Sequence, residues 1–221
     1  VLGDVYKRQS LTTAISLAIL ALSLGLIWGF GGILCFGQTA FFGIGGYAYA
    51  IAALNFGGST GAIIAAVLVA AAAAAILGYF MFYGRLSDVY LAVITLTVTL
   101  ILYSVIRRTS GPENKIGIAK LGGFIGINVP PINYPWDATQ FLYPDHVFYV
   151  AMVALLLAYF LCVWLTKSHF GRVCVSIREN EVRTELLGYD IRFYKLCMFT
   201  VGGAIAGLLS LIHISEPTRP R

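Results

Sequence analysis

Long apolar segments separated by short polar ones dominate this chain. Residues 9–84 contain no Asp, Glu, Lys, Arg or His. A helix needs about 20 apolar residues to cross a ~30 Å hydrocarbon layer, so this stretch is long enough for three spans, and three more apolar segments follow. The six predicted spans are Leu11–Gly29, Ile33–Asn55, Gly61–Tyr83, Val89–Ile106, His146–Thr166 and Tyr194–Leu211. Their sequences do not alternate as the strands of a membrane β-barrel do. The pattern therefore predicts an all-α, polytopic transmembrane helix bundle of about six spans.

The second segment is rich in glycine. Residues 29–46 read GFGGILCFGQTAFFGIGG and contain seven glycines. Because each glycine costs a helix about 1 kcal/mol relative to alanine, we expect this helix to be broken. Irregular backbone at membrane depth is tolerated where it lines a cavity or is enclosed by protein.

Two polar residues lie within this glycine-rich run, and a buried amide requires hydrogen-bond partners. We interpret the run as bordering a translocation pathway; the alternative is that its glutamine simply bonds a neighbouring helix. The candidate lining residues are Gln38, Thr39, Phe41, Phe42 and Gly43.

Small residues recur at helical spacing in other spans. The third span has a ridge at every fourth position, and two GxxxG pairs occur in the first and last spans. Small residues let helices approach closely in lipid, so we favour packing within the bundle over a dedicated dimer interface. The residues are Ala62, Ala66, Ala70, Ala74 and Gly78 in the ridge, and Gly25, Gly29, Gly203 and Gly207 in the pairs.

Composition agrees with a membrane protein. Apolar residues make up 59% of the chain and charged residues 11%, against about 45–50% and about 25% in soluble domains. This excludes a soluble enzyme, a nucleic-acid-binding domain and a disordered chain. The net charge of +5 comes from bases in loops, and basic loops face the cytoplasm. Lys167–Lys195 holds six basic residues and Arg107–Asp145 holds four, which places the first inside and the second outside.

The predicted outer loop contains the sequence GPENKIG, which begins with Gly111, Pro112, Glu113 and Asn114. A loop of this length in a compact domain is uncommon unless it has a function. We therefore weigh two interpretations equally: a surface that docks a partner, and an inert connection.

The predicted inner loop carries the sequence SIRENEVRTELLGYDIRFYK from Ser176 to Lys195. Ser176 and Glu179 have the spacing of a capping box, Gly188 suits the position that follows a helix C-terminus, and Asp190 can cap the next span. A short helix with a charged face is expected between two spans. It is either a docking element or a solvated interfacial helix. The charged residues of this face are Arg178, Glu179, Glu181, Arg183 and Glu185.

Two blocks carry a family resemblance. WGFGGILCFGQTAFFGIGGYAYA (Trp28–Ala50) and GRVCVSIRENEVRTELLGYDIRFYKLCMFTVGGAIAGL (Gly171–Leu208) resemble the branched-chain amino acid ABC transporter permeases of the LivM type. Urea-type permeases share the pattern. The resemblance implies a multi-pass protein of the bacterial inner membrane that transports branched-chain or other neutral amino acids, or urea. The chain departs from the usual pattern at Cys35, at Gln38 and in GPENKIG, which leaves the solute open.

The resemblance also implies partners: two ATP-binding subunits, a second permease subunit and an extracytoplasmic solute-binding protein. By this likeness Ser176–Gly188 would seat in an ATP-binding subunit and Arg107–Asp145 would face the binding protein. The chain has no G-x-x-x-x-G-K-[ST] phosphate loop and no HExxH sequence, so we expect no enzyme activity, cofactor or metal here, with ATP hydrolysis in a partner chain. The alternatives are a secondary transporter or channel and, less favoured, a membrane enzyme or scaffold.

The two ends differ abruptly from their apolar neighbours. Residues 1–9 and 212–221 resemble translated sequencing-adapter read-through. We expect both to be non-native tails, with a genuine disordered tail as the alternative, and residues 10–211 to be an incomplete transmembrane permease domain.

Overall fold

The computed structural model describes residues 2–56, 59–84, 86–109, 115–116, 119–120, 133–134, 137–141 and 144–214. The α-helices are α1 (Leu2–Gly25), α2 (Gln38–Phe56), α3 (Ser59–Tyr83), α4 (Asp88–Arg108), α5 (Pro144–Lys167), α6 (His169–Glu179), α7 (Glu181–Leu186) and α8 (Ile191–Ile214). A π-helical segment, Leu26–Phe30, continues α1. Among the described residues between α4 and α5, β1 (Lys115–Ile116) pairs antiparallel with β2 (Ala119–Lys120), and β3 (Asn133–Tyr134) pairs antiparallel with β4 (Asp137–Phe141).

The predicted all-α polytopic bundle is confirmed. Five helices in the described ranges are long and apolar enough to cross a membrane. Helix α2, which covers most of the predicted second span, is not one of the five. The five candidate spans are Ser10–Phe30, Ser59–Tyr83, Asp88–Arg108, Phe148–Lys167 and Ile191–Leu209.

The centre of the bundle is the contact between α3 and α8. All five residues of the predicted small-residue ridge on α3 are buried. A side chain on Gly203 or Gly207 of α8 would overlap the Cβ atom of Ala74 or Ala70, respectively. Helix α2 joins the same contact, because a Cβ on Gly45 would lie 2.7 Å from the Cα of Gly207. The predicted packing role of the ridge is confirmed within this chain.

The predicted break in the glycine-rich segment is confirmed. It covers residues 31–37, whereas the glycine-rich run covers residues 29–46. The helix changes from α to π over Leu26–Phe30 and ends before Gly31, and α2 begins at Gln38. Gly32 has φ +66°, a left-handed conformation that suits glycine. The glycines after Gln38 lie inside regular helix. At Gly45, close packing on Gly207 of α8 offsets the low helix propensity of glycine.

Helix α4 holds the C-terminal part of the break. The hydroxyl of Thr95 accepts a hydrogen bond from the Phe36 amide at 3.2 Å and donates one to the Ala92 carbonyl at 2.9 Å. Thr97 and Thr99 donate to carbonyls of their own helix at 2.8 and 2.7 Å. Bonds of this kind to carbonyls of the same helix satisfy threonine hydroxyls within an apolar helix.

The predicted capping box at Ser176 and Glu179 is wrong. Ser176 lies inside α6, which begins after Ser168, and Glu179 is its last residue. Asn180 separates α6 from α7, and its side chain accepts a hydrogen bond from the Arg183 amide at 2.9 Å. The amphipathic sequence before Ser176 extends α6 toward the N-terminus, since it buries one face of the helix against the bundle.

The two other predicted caps are confirmed. Gly188 has φ +89°, its amide donates to the Glu185 carbonyl at 2.9 Å, and the Tyr189 amide donates to the Thr184 carbonyl at 3.4 Å. This is the Schellman pattern that ends many helices at a glycine. The carboxylate of Asp190 then accepts from the Arg192 and Phe193 amides at 3.1 and 3.4 Å, at the start of α8.

Candidate functional site

The short helix α7 presents three large apolar side chains at its surface. They are between 67% and 83% exposed, although they lie outside the five candidate spans. Exposed apolar groups that cluster on a polar segment indicate an interaction surface. We call this surface the α7 tip; it consists of Val182, Leu186 and Leu187.

The opposite face of α7 is fixed to the bundle. Thr184 is buried, and its hydroxyl lies 2.8 Å from the hydroxyl of Ser176 and donates to the Asn180 carbonyl at 3.0 Å. Ser176 therefore holds α7 on α6 instead of capping a helix. The Ser176–Thr184 contact therefore fixes the buried side of α7, while the α7 tip stays exposed.

Lys195 links α7 to two spans. Its ammonium lies 2.5 Å from a carboxylate oxygen of Glu181 on α7 and 3.7 Å from one of Asp88 at the start of α4. The lysine side chain is only 11% exposed, and a buried cation requires such partners. Three elements, α4, α7 and α8, therefore meet at one side chain.

A cavity of about 620 Å³ lies beside this ion pair. Apolar lining comes from Phe82, Leu86 and Ile191, Gly188 and Tyr189 also line the cavity, and the remaining lining residues are charged. The charged lining residues are Glu181, Glu185, Asp190, Arg192 and Lys195.

Arg178, the penultimate residue of α6, reaches the broken segment. Its Nη1 donates to the backbone carbonyl of Gly29, and its Nη2 pairs with the Glu179 carboxylate at 2.6 Å. The predicted charged residues thus separate into three settings. Arg178 and Glu179 lie beside the break, Glu181 joins Lys195, and Arg183 and Glu185 lie exposed near the α7 tip.

Gln38 is buried where α1, α2 and α8 meet. Its Nε2 donates to the Gly202 carbonyl at 2.9 Å and to the Ser23 hydroxyl, which itself donates to Gly202 at 2.7 Å. Its Oε1 has no hydrogen-bond partner among the described residues. The geometry supports the alternative stated for this residue, a bond to neighbouring helices.

The other predicted pathway residues lie on two sides of α2. Phe41 is buried and packs edge-to-face on Phe199, with ring centroids 5.4 Å apart, and Phe42 is half-buried. Thr39 is exposed, and a side chain on Gly43 would meet no described atom within 4 Å. Thr39 and Gly43 are four residues apart, so they share the open face of α2.

Some predicted site residues lie outside the described part of the chain, and others were missed. Gly111, Pro112, Glu113 and Asn114 fall outside the described residues. Sequence reasoning missed the roles of Lys195, Thr184 and Asn180. Of these, Asn180 had a local signal, because asparagine immediately before a charged helical segment is a strong N-cap candidate.

The thiol of Cys174 on α6 is buried beside the Cys197 side chain. Burial, and secondarily the neighbouring thiol, raises the pKa of Cys174 to about 12. The reactive thiolate form is therefore suppressed at neutral pH. Among the residues that the structure describes, no three His, Cys, Asp or Glu side chains are grouped to hold a metal ion.

Comparison with known proteins identifies the family. Residues 8–219 match the family described as branched-chain amino acid transport system, permease component. The high-affinity branched-chain amino acid transport system permease protein LivM of Escherichia coli K12 is 31% identical over 213 residues, and its counterpart in Salmonella typhimurium LT2 is 29% identical over 222.

Each alignment covers 90% of this chain and 50% of the relative, so the chain spans about half the length of these curated relatives. No solved structure matches the chain. Since the family match extends over nearly the whole sequence, the chain belongs to the branched-chain amino acid transport permease family.

Proposed function

We propose that this chain is a membrane-spanning permease subunit of an ABC importer in the bacterial inner membrane. It forms part of the translocation pathway for branched-chain or other neutral amino acids, and ATP hydrolysis in partner subunits drives the transport. Its partners are two ATP-binding subunits, a second permease subunit and an extracytoplasmic solute-binding protein. The family membership supports the transport role.

The observation that carries the coupling role is the exposed α7 tip on a rigid base. Val182, Leu186 and Leu187 are exposed, while Thr184 and the Lys195–Glu181 pair hold α7 against the bundle. The inner loop is the more basic one, which favours a cytoplasmic position. A partner that grips the α7 tip there can move α6 and α8 together.

The open face of α2 is the proposed part of the pathway in this chain. Thr39 and Gly43 lie on this face, and a second permease subunit would close the other side. Residues 9–84 contain no ionisable charge, which suits a solute of zero net charge. A zwitterionic amino acid and urea both meet this condition, and the names of the two relatives favour the amino acid.

The proposal is tested in proteoliposomes that contain the full transporter. Wild type should take up leucine only with ATP, the ATP-binding subunits and the binding protein. Leu186→Ser at the α7 tip should abolish uptake, whereas the matched control Phe193→Ser, an exposed apolar position on α8, should retain it. Uptake without ATP would indicate a secondary transporter or channel. Uptake of urea but not of leucine would identify urea as the solute.

A further inference from the structure

We propose that Arg178 is a positioning residue that holds the helix break at Gly31–Gly37 in register with the α6–α7 unit. This inference rests on the proposed function. It assigns to one side chain the connection between the partner-binding α7 tip and the start of α2.

The guanidinium satisfies a carbonyl that the break leaves open. The last carbonyls of a helix have no partner within it, and one of them, on Gly29, accepts from Arg178 Nη1. A cation at a helix C-terminus also interacts favourably with the helix dipole. The Glu179 carboxylate binds the Nε and Nη2 atoms at 3.2 and 2.6 Å, so the guanidinium is held from both sides.

The stem of Arg178 lies directly on the break. A Cβ on Gly32 would lie 2.7 Å from the arginine Cγ, 3.2 Å from its Cβ and 3.4 Å from its Cα. The backbone of the break therefore packs directly on the side-chain stem of Arg178. The positive φ of Gly32 and this contact both require a residue without a side chain at position 32.

The break leads directly into the proposed pathway helix. Six residues after Gly32, Gln38 begins α2 and binds α1 and α8, and between them the Phe36 amide binds Thr95 of α4. Arg178 is separated from α7 only by Glu179 and Asn180. A partner that displaces α7 would therefore also displace the break, because Arg178 connects the two and no membrane span lies between them.

The experiment measures the accessibility of a cysteine at position 36 in the full transporter. Phe36 is 56% exposed, and Phe36→Cys is labelled with a maleimide, with the parent chain giving the background of the native cysteines. The rate is measured without nucleotide and with ATP and vanadate. It is compared among the wild-type residue at position 178, Arg178→Gln and Arg178→Lys. The matched control is Arg172→Gln, which removes the same charge from an exposed position on the same helix.

Without nucleotide, Arg178→Gln should raise the labelling rate by about threefold to tenfold, the range that loss of one hydrogen bond corresponds to. Arg178→Lys, which retains the stem and the charge, should restore most of the difference, and Arg172→Gln should have no effect. Equal rates with and without the Arg178→Gln substitution would overturn the positioning role, whether or not the chain is an ABC permease.

The nucleotide arm separates this inference from the proposed function. In wild type, ATP and vanadate should change the rate at position 36, and in Arg178→Gln the change should be lost. The same change in both chains would contradict the role of Arg178 and leave the proposed function intact. No change in wild type would contradict the coupling itself, while the nucleotide-free comparison still decides the positioning role.

Discussion

Lys195 and Glu181 form an ion pair that joins the start of α8 to α7, with 2.5 Å between the ammonium nitrogen and the carboxylate oxygen. Asp88 of α4 lies 3.7 Å from the same ammonium. The position of α7 is therefore linked to two spans through one mostly buried cation.

Replacement of Lys195 by Gln should weaken this link. Both carboxylates are about half exposed, so water screens the pair and we expect a loss of about 1 kcal/mol in stability. The larger effect should be on coupling, measured as ATP hydrolysed per solute transported. The charge exchange Glu181→Lys with Lys195→Glu should recover part of it. A normal ratio in Lys195→Gln would contradict this role.

Gly203→Ala should destabilise the bundle by about 1–3 kcal/mol, because the added methyl group overpacks a filled contact. The overlap is with the Cβ of Ala74, so Ala74→Gly should suppress the defect. Gly25→Ala is the matched control, since a Cβ there meets no described atom within 4 Å. Thermal unfolding in detergent measures all three. Equal effects of the two alanine substitutions would contradict the packing described here.

Gln38 and Thr39 should respond differently to substitution. Gln38→Met removes two buried hydrogen bonds, to Ser23 and Gly202, and should cost about 1–3 kcal/mol of stability. Thr39→Val changes an exposed side chain and should leave stability unchanged. Thermal unfolding in detergent measures both, and equal unfolding temperatures for the two variants would contradict the buried bonding of Gln38.

The open face of α2 is tested separately from its packed face. Gly43→Leu should reduce solute uptake while the unfolding temperature stays near that of wild type, because a side chain at this position meets no described atom within 4 Å. Undiminished uptake in the stable Gly43→Leu chain would place the pathway elsewhere.

The pH dependence of Cys174 follows from its raised pKa of about 12, against an ordinary value of 9.0. Below about pH 9 the thiol is neutral in both the folded and the unfolded chain, so the free energy of unfolding does not change with pH through this group. Between 9 and 12 only the unfolded thiol ionises, and stability falls as the pH rises. The folded protein should resist maleimide at pH 8 at this position and react after denaturation in detergent. Rapid labelling of the folded chain, judged against Cys174→Ser, would contradict the burial.

The sequence predicted the parts of this fold that local physics determines. Apolar length predicted five spans that the described helices bear out. Gly188 and Asp190 end and begin helices because their conformations and side chains act within a few residues. The capping box at Ser176 failed because a serine three residues before a glutamate also fits inside a helix, and the Ser168 cap starts α6 earlier. The partners of Gln38 and Lys195 could not be predicted, since Gly202 and Asp88 are distant in sequence.

In the proposed coupling, a partner grips the α7 tip on the inner side of the membrane. Leu186→Cys, at an 83% exposed position, tests this with a membrane-impermeant maleimide applied to each side of oriented vesicles. The coupling predicts labelling only from the cytoplasmic side, with strong protection when the ATP-binding subunits are present. Labelling from the outer side, or an equal rate with and without those subunits, would contradict it.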